Sequence, residues 1–207
     1  SDADALSGVT AIYDQMQHNY QIYGYNPLAD GMTPNAWIWS DYLEGYDQVA
    51  KGNLLPTLTT PVNDKWVQLY NGIYKANLAL EKIPGVRMDE TLKNRLMGEA
   101  QFLRALFYFN LADYYGGVPL IQQTLQLGAE LPGRNTRKEV LDFIVAECDN
   151  AAKVLPAVYD NANTGRATLG AARTLKLKSL LLDKKSPPAA AAAKQVIDTG
   201  QYQLYAN

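Results

Sequence analysis

The segment from Glu90 to Tyr115 carries apolar residues on two helical faces at once. Leu96, Ala100, Leu103, Phe107 and Leu111 follow one stripe; Phe102, Ala105, Leu106, Phe109 and Ala112 follow the other. A helix apolar over so much of its circumference is packed on several sides, so it predicts the centre of a helical fold. Gly116-Gly117-Val118-Pro119 ends it. Glycine just past a helix supplies the left-handed conformation, and a proline shortly after forbids continuation. No helix start follows closely, so the two glycines are not read as a phosphate cradle. Arg104, inside this helix, reads as a buried or half-buried structural ion-pair partner rather than a ligand contact.

Five further helices are predicted around it. From Ala5 to Tyr23, Leu6, Val9, Ile12, Tyr13, Met16 and Tyr20 recur at helical spacing, and Gly24 ends the run. Thr60-Pro61 reads as a cap followed by proline in the first turn, with Trp66, Leu69, Tyr70, Ile73, Leu80 and Ile83 on one face before Pro84-Gly85. Thr136 and Glu139 form a capping-box pattern ahead of Leu141, Ile144, Val145, Cys148, Ala152 and Leu155, and Pro156 stops that helix. A fifth helix is expected from Thr168 to about Lys184, with Ala171, Ala172, Leu175, Ser179 and Leu182 on one face. Its basic residues, Arg173, Lys176, Lys178, Lys184 and Lys185, read as a solvated face. Pro187-Pro188 opens an alanine-rich sixth helix ending at Gly200, and QYQLYAN reads as a short extended tail. The fold class is therefore all-α: about six helices in pairs resembling tetratricopeptide repeats, with no strict period. The domain reading is a single unit over residues 1–207, with an irregular excursion at 24–60.

That length, 207 residues, suits one domain with a sizeable core. Nineteen basic residues against twenty-one acidic ones leave no polyanion-binding excess, which argues against nucleic acid. No apolar run approaches the roughly 20 residues of a membrane span. The opening SDADALSGV has neither a basic start nor an apolar core, so any signal peptide is expected to be already missing. A single histidine, His18, and a single cysteine, Cys148, leave no zinc cluster and no serine–histidine triad. Cys148 lies on an apolar stripe and reads as a buried, inert thiol. Carboxylate pairs such as Asp41 with Glu44 have the chemistry for hydrolysis, but acids a turn apart are common on surfaces. The chain is read as no enzyme, with no cofactor and no metal.

The excursion carries the functional reading. Tyr23, Tyr25, Trp37, Trp39, Tyr42 and Tyr46 place six aromatics in 24 residues, against 10% aromatics in the whole chain. Asn26, Asp30, Asn35, Asp41, Glu44 and Asp47 are interleaved with them. Flat apolar faces beside fixed acceptors suit a sugar ring, whose C–H face stacks while its hydroxyls form hydrogen bonds. In WIWSDY, alternation puts Trp37 and Trp39 on one side if the segment is extended. The two indoles either meet a ligand or partner, or plug the excursion onto the helices. On the binding reading, Trp37 and Trp39 come first, Tyr42 and Tyr46 next, with Asn35 and Asp41 as hydrogen-bond partners.

The run EAQFLRALFYFNLADYYGGVPLI resembles the signature of the SusD/RagB family of outer-membrane nutrient-binding lipoproteins. Glu99, Ala100, Leu103, Arg104, Ala105, Tyr108, Phe109, Leu111, Tyr115, Gly116, Val118, Pro119 and Leu120 fit that pattern. WVQLYNGIYKANLALEKIPG at 66–85 is similar to the family's preceding helix. GRATLGAARTLKLKSLLL at 165–182 and AAAKQVIDTGQYQLY at 191–205 are similar to two later ones. The resemblance implies a helical fold with tetratricopeptide-like pairs and a non-catalytic protein exposed at the outer-membrane surface. It implies capture of glycans, or of peptides in RagB-like members, for a SusC-like TonB-dependent transporter. A helical docking scaffold for the transporter, with no glycan site of its own, is the alternative. Members of the family are usually far longer, and neither their C-terminal half nor their lipid-bearing cysteine is among these residues. The chain is therefore expected to be an N-terminal portion, a trimmed version or a short member. The DKKSPP link between helices five and six is shorter than the family's usual loop.

Overall fold

A computed structural model of the chain describes residues 1–17, 33–34, 47–48, 51–53 and 60–203. Among the described residues the regular structure is helical: α1 (Asp2–Met16), α2 (Thr60–Lys82), α3 (Glu90–Tyr115), α4 (Arg137–Ala152), α5 (Leu169–Leu182) and α6 (Ser186–Ile197). Short 3-10 turns at Ile83–Gly85 and Asn161–Asn163 continue or link them.

Side-chain chemistry sets most of the boundaries. The Asp89 carboxylate accepts the Leu92 N–H at 2.8 Å and opens α3. At α4 the predicted capping box forms: Thr136 N–H donates to Glu139 at 2.7 Å, and Glu139 N–H donates back to the Thr136 hydroxyl at 3.2 Å. The Thr168 hydroxyl accepts the Ala171 N–H and opens α5. Several boundaries differ from expectation: α4 closes at Ala152, short of Leu155, and α6 at Ile197, short of Gly200. α1 closes at Met16, with a turn in which Gln17 N–H reaches the Asp14 carbonyl; Tyr20 and His18 lie outside the described residues. α5 ends at Leu182 rather than Lys184, because the chain turns there through Lys184 with φ of 58°.

Successive helices run antiparallel. Gln15 on α1 donates to Gln68 on α2 at 3.0 Å, while Asp4 and Ala5 lie beside Ile83 and Val86. On the next pair Asn77 faces Arg104, and the Phe107 ring lies over Gly72. Arg104 then faces Glu147 on α4, and Gly98 lies against Val154. α3 touches α1, α2, α4 and α5, which explains its two apolar faces. Leu96, Ala100, Leu103, Phe107 and Leu111 are fully buried. Their core continues through Val9 and Ile12 of α1 and Ile144 and Cys148 of α4.

The basic residues of α5 are more than a solvated face. Lys176 pairs with Asp149 at 2.7 Å, Arg173 donates to the Gln195 carbonyl, and Lys185 bridges Asp142 and Asp183. These contacts tie α5 to α4 and α6, a long-range pairing that the helical period of α5 alone does not reveal. Lys178 and Lys184 are exposed.

Candidate functional site

The six residues singled out as ligand contacts, Asn35, Trp37, Trp39, Asp41, Tyr42 and Tyr46, lie outside the described residues, as do Asp30 and Glu44. The described part of the chain supplies the frame built by the motif that follows α3.

At the end of α3, Gly116 takes φ of 75° and its N–H reaches the Ala112 carbonyl at 3.2 Å. Gly117 is required for a different reason: a Cβ there would meet the carbonyl oxygen of Asn135 and the backbone of Thr136. The chain then continues without helix from Val118 to Thr124, held by side chains of α2 and α3. Tyr70 donates to the Pro119 carbonyl at 2.8 Å and Asn77 to the Ile121 carbonyl at 2.9 Å. Tyr108 donates to that carbonyl at 3.0 Å and accepts the Ile121 N–H at 2.7 Å. Arg104 donates to the Gln122 carbonyl at 3.1 Å and to Asn77 at 2.7 Å. Glu81 accepts the Thr124 N–H at 2.6 Å and its hydroxyl at 2.8 Å. From the other side Arg134 donates to the Gly117 and Tyr115 carbonyls, and Asn135 accepts the Leu120 N–H.

The guanidinium of Arg104 is also paired with Glu147, with nitrogen–oxygen distances of 2.8 and 2.6 Å and both side chains 8% exposed. Burial pushes the Glu147 carboxyl up, with the Arg104 charge opposing it. Burial likewise moves the Tyr108 hydroxyl to about 12 and the Tyr70 hydroxyl well above its ordinary value. These phenols are neutral donors over the physiological range. Arg104 is thus the buried ion-pair partner expected from the sequence.

A second buried carboxylate, Glu99, lies nearer the start of α3. Arg166 donates to it at 2.8 Å, Arg95 lies at 3.3 Å, and the Tyr159 hydroxyl approaches at 3.3 Å. Tyr13 accepts the Ala167 N–H at 2.8 Å, and burial with the neighbouring Glu99 charge drives its hydroxyl far above the normal range. This cluster fastens the loop before α5 onto α1 and α3. Glu99, Arg104 and Tyr108 of the motif are therefore spent on internal contacts.

Aromatic rings form the remaining chemistry. Tyr114, Tyr115, Trp66, Tyr70, Tyr108 and Phe143 follow one another with centroids 4.9–6.4 Å apart. At the outer end Tyr114 is 41% exposed, and the Lys65 ammonium sits 4.0 Å above its ring. Lys65 is 2% exposed, its Nζ has no hydrogen-bond partner, and burial lowers its value to about 8. Sequence reasoning assigned Trp66 and Tyr70 to a helix face and did not single out Lys65, whose neighbour Tyr114 is 49 positions away. Adjacent aromatics at the two helix ends, Trp66 and Tyr114-Tyr115, were the available signal. The arrangement offers ring faces and a cation. Among the described residues no set of three or more His, Cys, Asp or Glu is placed to hold a metal, and burial keeps the Cys148 thiol neutral.

Comparison with known proteins places this frame. The SusD-like family described as "Starch-binding associating with outer membrane" matches residues 4–176. SusD-like protein P25 of Formosa agariphila is 25% identical over 219 residues, covering 100% of this chain and 41% of that protein. The crystal structure of a SusD-like protein from Bacteroides fragilis superposes with a TM-score of 0.88 at 28% identity, over 99% of this chain and 39% of the other. A laminarin-binding SusD-like protein superposes at 0.84 and 29% identity, over 94% and 43%. The chain thus spans less than half the length of these relatives. With the family match running across five of the six helices and the buried frame of α3 at its centre, the chain belongs to the SusD-like family.

Proposed function

We propose that this chain is the helical part of a non-catalytic glycan-binding protein at the outer cell surface. It hands its ligand to a SusC-like TonB-dependent transporter. The observation that carries the reading is the family match over residues 4–176, together with the laminarin-binding relative at 29% identity. Two features of the chain support it. Of the polar residues of the family motif, Arg104 and Tyr108 are consumed in fixing the segment after α3 and Glu99 in fastening the loop before α5, which makes them a frame and leaves recognition to other residues. The chain also concentrates tryptophan and tyrosine between positions 23 and 46, beside Asn35 and Asp41, the pattern that suits stacking on a sugar ring. Trp37 and Trp39 are the primary stacking residues, Tyr42 and Tyr46 the secondary ones.

Titration calorimetry with laminarin oligosaccharides, on the protein and on its Trp37→Ala and Trp39→Ala variants, tests this. Each substitution is expected to weaken binding by about tenfold or more, as for aromatic anchors generally. Unchanged affinity in both variants overturns the assigned site. Peptide binding in the absence of binding to any glycan replaces the glycan reading with a RagB-like one.

A further inference from the structure

The first helix pair leaves a groove that none of the described residues fills. Its floor is apolar, formed by Ala5, Gly8 and Ala11 of α1 and by Ala79, Ile83 and Val86 at the end of α2, around a cavity of about 270 Å³. Leu78, 37% exposed, stands on its edge, and Tyr74, 54% exposed, lies one turn away on the same face of α2. In a stack of helix pairs the terminal pair ordinarily presents a polar outer face. Here an apolar groove interrupts the polar outer face of the terminal pair, and exposed apolar surface of this kind marks an interaction site.

Gly8 sharpens the point. Glycine inside a helix costs roughly 1 kcal/mol relative to alanine, and a glycine is normally kept there for close approach. A Cβ added at Gly8 meets nothing within 4 Å, so no part of the described chain requires its absence. The space above Gly8 is the groove itself.

Charge selects the occupant. Lys75 and Lys82 line the α2 wall seven residues apart, about 10 Å along the helix axis. Neither takes part in any ion pair among the described residues. The nearby acids are engaged elsewhere: Asp4 by the amine and hydroxyl of Ser1, and Glu81 by Thr124. We propose that the α1–α2 groove is a docking site for an amphipathic helix of a partner protein. That helix lays an apolar stripe on Ala5, Gly8 and Ala79 and sets two carboxylates, two turns apart, against Lys75 and Lys82. A helix running along α2 repeats its side chains with the same 10 Å spacing, so both charges are met at once.

The probe is a fluorescein-labelled amphipathic peptide with a leucine stripe and glutamates at i and i+7, titrated by fluorescence anisotropy. A matched peptide carries lysines at those two positions. Saturable binding of the glutamate peptide is expected, weakened about tenfold or more by Gly8→Leu and by the pair Lys75→Glu/Lys82→Glu. The charge-reversed protein is expected to prefer the lysine peptide, a gain that misfolding cannot produce. Gly8→Leu is expected to keep the helical circular dichroism of the parent. Absence of saturable binding, or equal binding in every protein–peptide pairing, overturns the proposal. So does saturable binding of sodium decanoate with neither peptide bound, which would assign the groove to an alkyl carboxylate.

Discussion

Tyr108 and Ile121 exchange two hydrogen bonds through one hydroxyl: it accepts the Ile121 N–H at 2.7 Å and donates to the Ile121 carbonyl at 3.0 Å. A single side chain thereby does for the segment after α3 what a neighbouring strand does in a sheet. Tyr108 is fully buried, so no water substitutes for it. Replacing Tyr108 by Phe keeps the ring and leaves the Ile121 N–H unsatisfied. The expected loss is about 1–3 kcal/mol, read as a lower urea midpoint with an unchanged slope.

The Arg104–Glu147 pair joins α3 to α4 with both side chains 8% exposed. Arg104→Met strands a buried carboxylate and removes the donor to Asn77 and Gln122, at an expected cost of about 3–5 kcal/mol. The double variant Arg104→Met/Glu147→Leu is expected to recover part of that loss, because it removes the stranded charge. A double-mutant cycle in urea gives the coupling directly.

Gly117 and Gly133 separate steric need from loop composition. Gly117→Ala drives a methyl into the Asn135 carbonyl and is expected to destabilise by about 1–3 kcal/mol. Gly133→Ala meets nothing within 4 Å and is expected to stay within about 1 kcal/mol of the parent. Melting temperatures of the two variants, measured side by side, check the contrast.

Lys65 ties stability to pH. Its value in the folded protein is lowered to about 8 by burial, below the ordinary lysine value of about 10 that holds in the unfolded chain. Between those two values the unfolded chain binds the extra proton, so this group adds stability as pH rises through that window and its penalty is full below it. Lys65→Met is expected to melt higher than the parent at pH 7. The difference is expected to shrink towards pH 10, as followed by thermal denaturation of both proteins across that range.

The helices were legible because their signals are local. The Thr136–Glu139 capping box, Pro84-Gly85 and Gly116-Gly117 each act within a few residues of the boundary they set, and the two apolar stripes of α3 state its central position. The motif at Glu99–Leu120 was legible as a family resemblance, yet its residues turned out to hold the frame together. The candidate ligand residues of the excursion rest on composition, since aromatic content gives a chemistry without a geometry.

What the sequence by itself determined is the all-α class, the order of the helices and the central place of α3, because amphipathic period and caps are properties of adjacent residues. Only the tertiary structure decided which polar groups meet. Arg104 and Glu147 are 43 positions apart, and Tyr13 reaches Ala167 across 154. It also decided that Arg173, Lys176 and Lys185 act as tethers, and that among the described residues the α1–α2 groove is left open beside two lysines in no ion pair. Such pairings depend on how whole helices rotate and cross, which the side-chain period along any one of them does not specify.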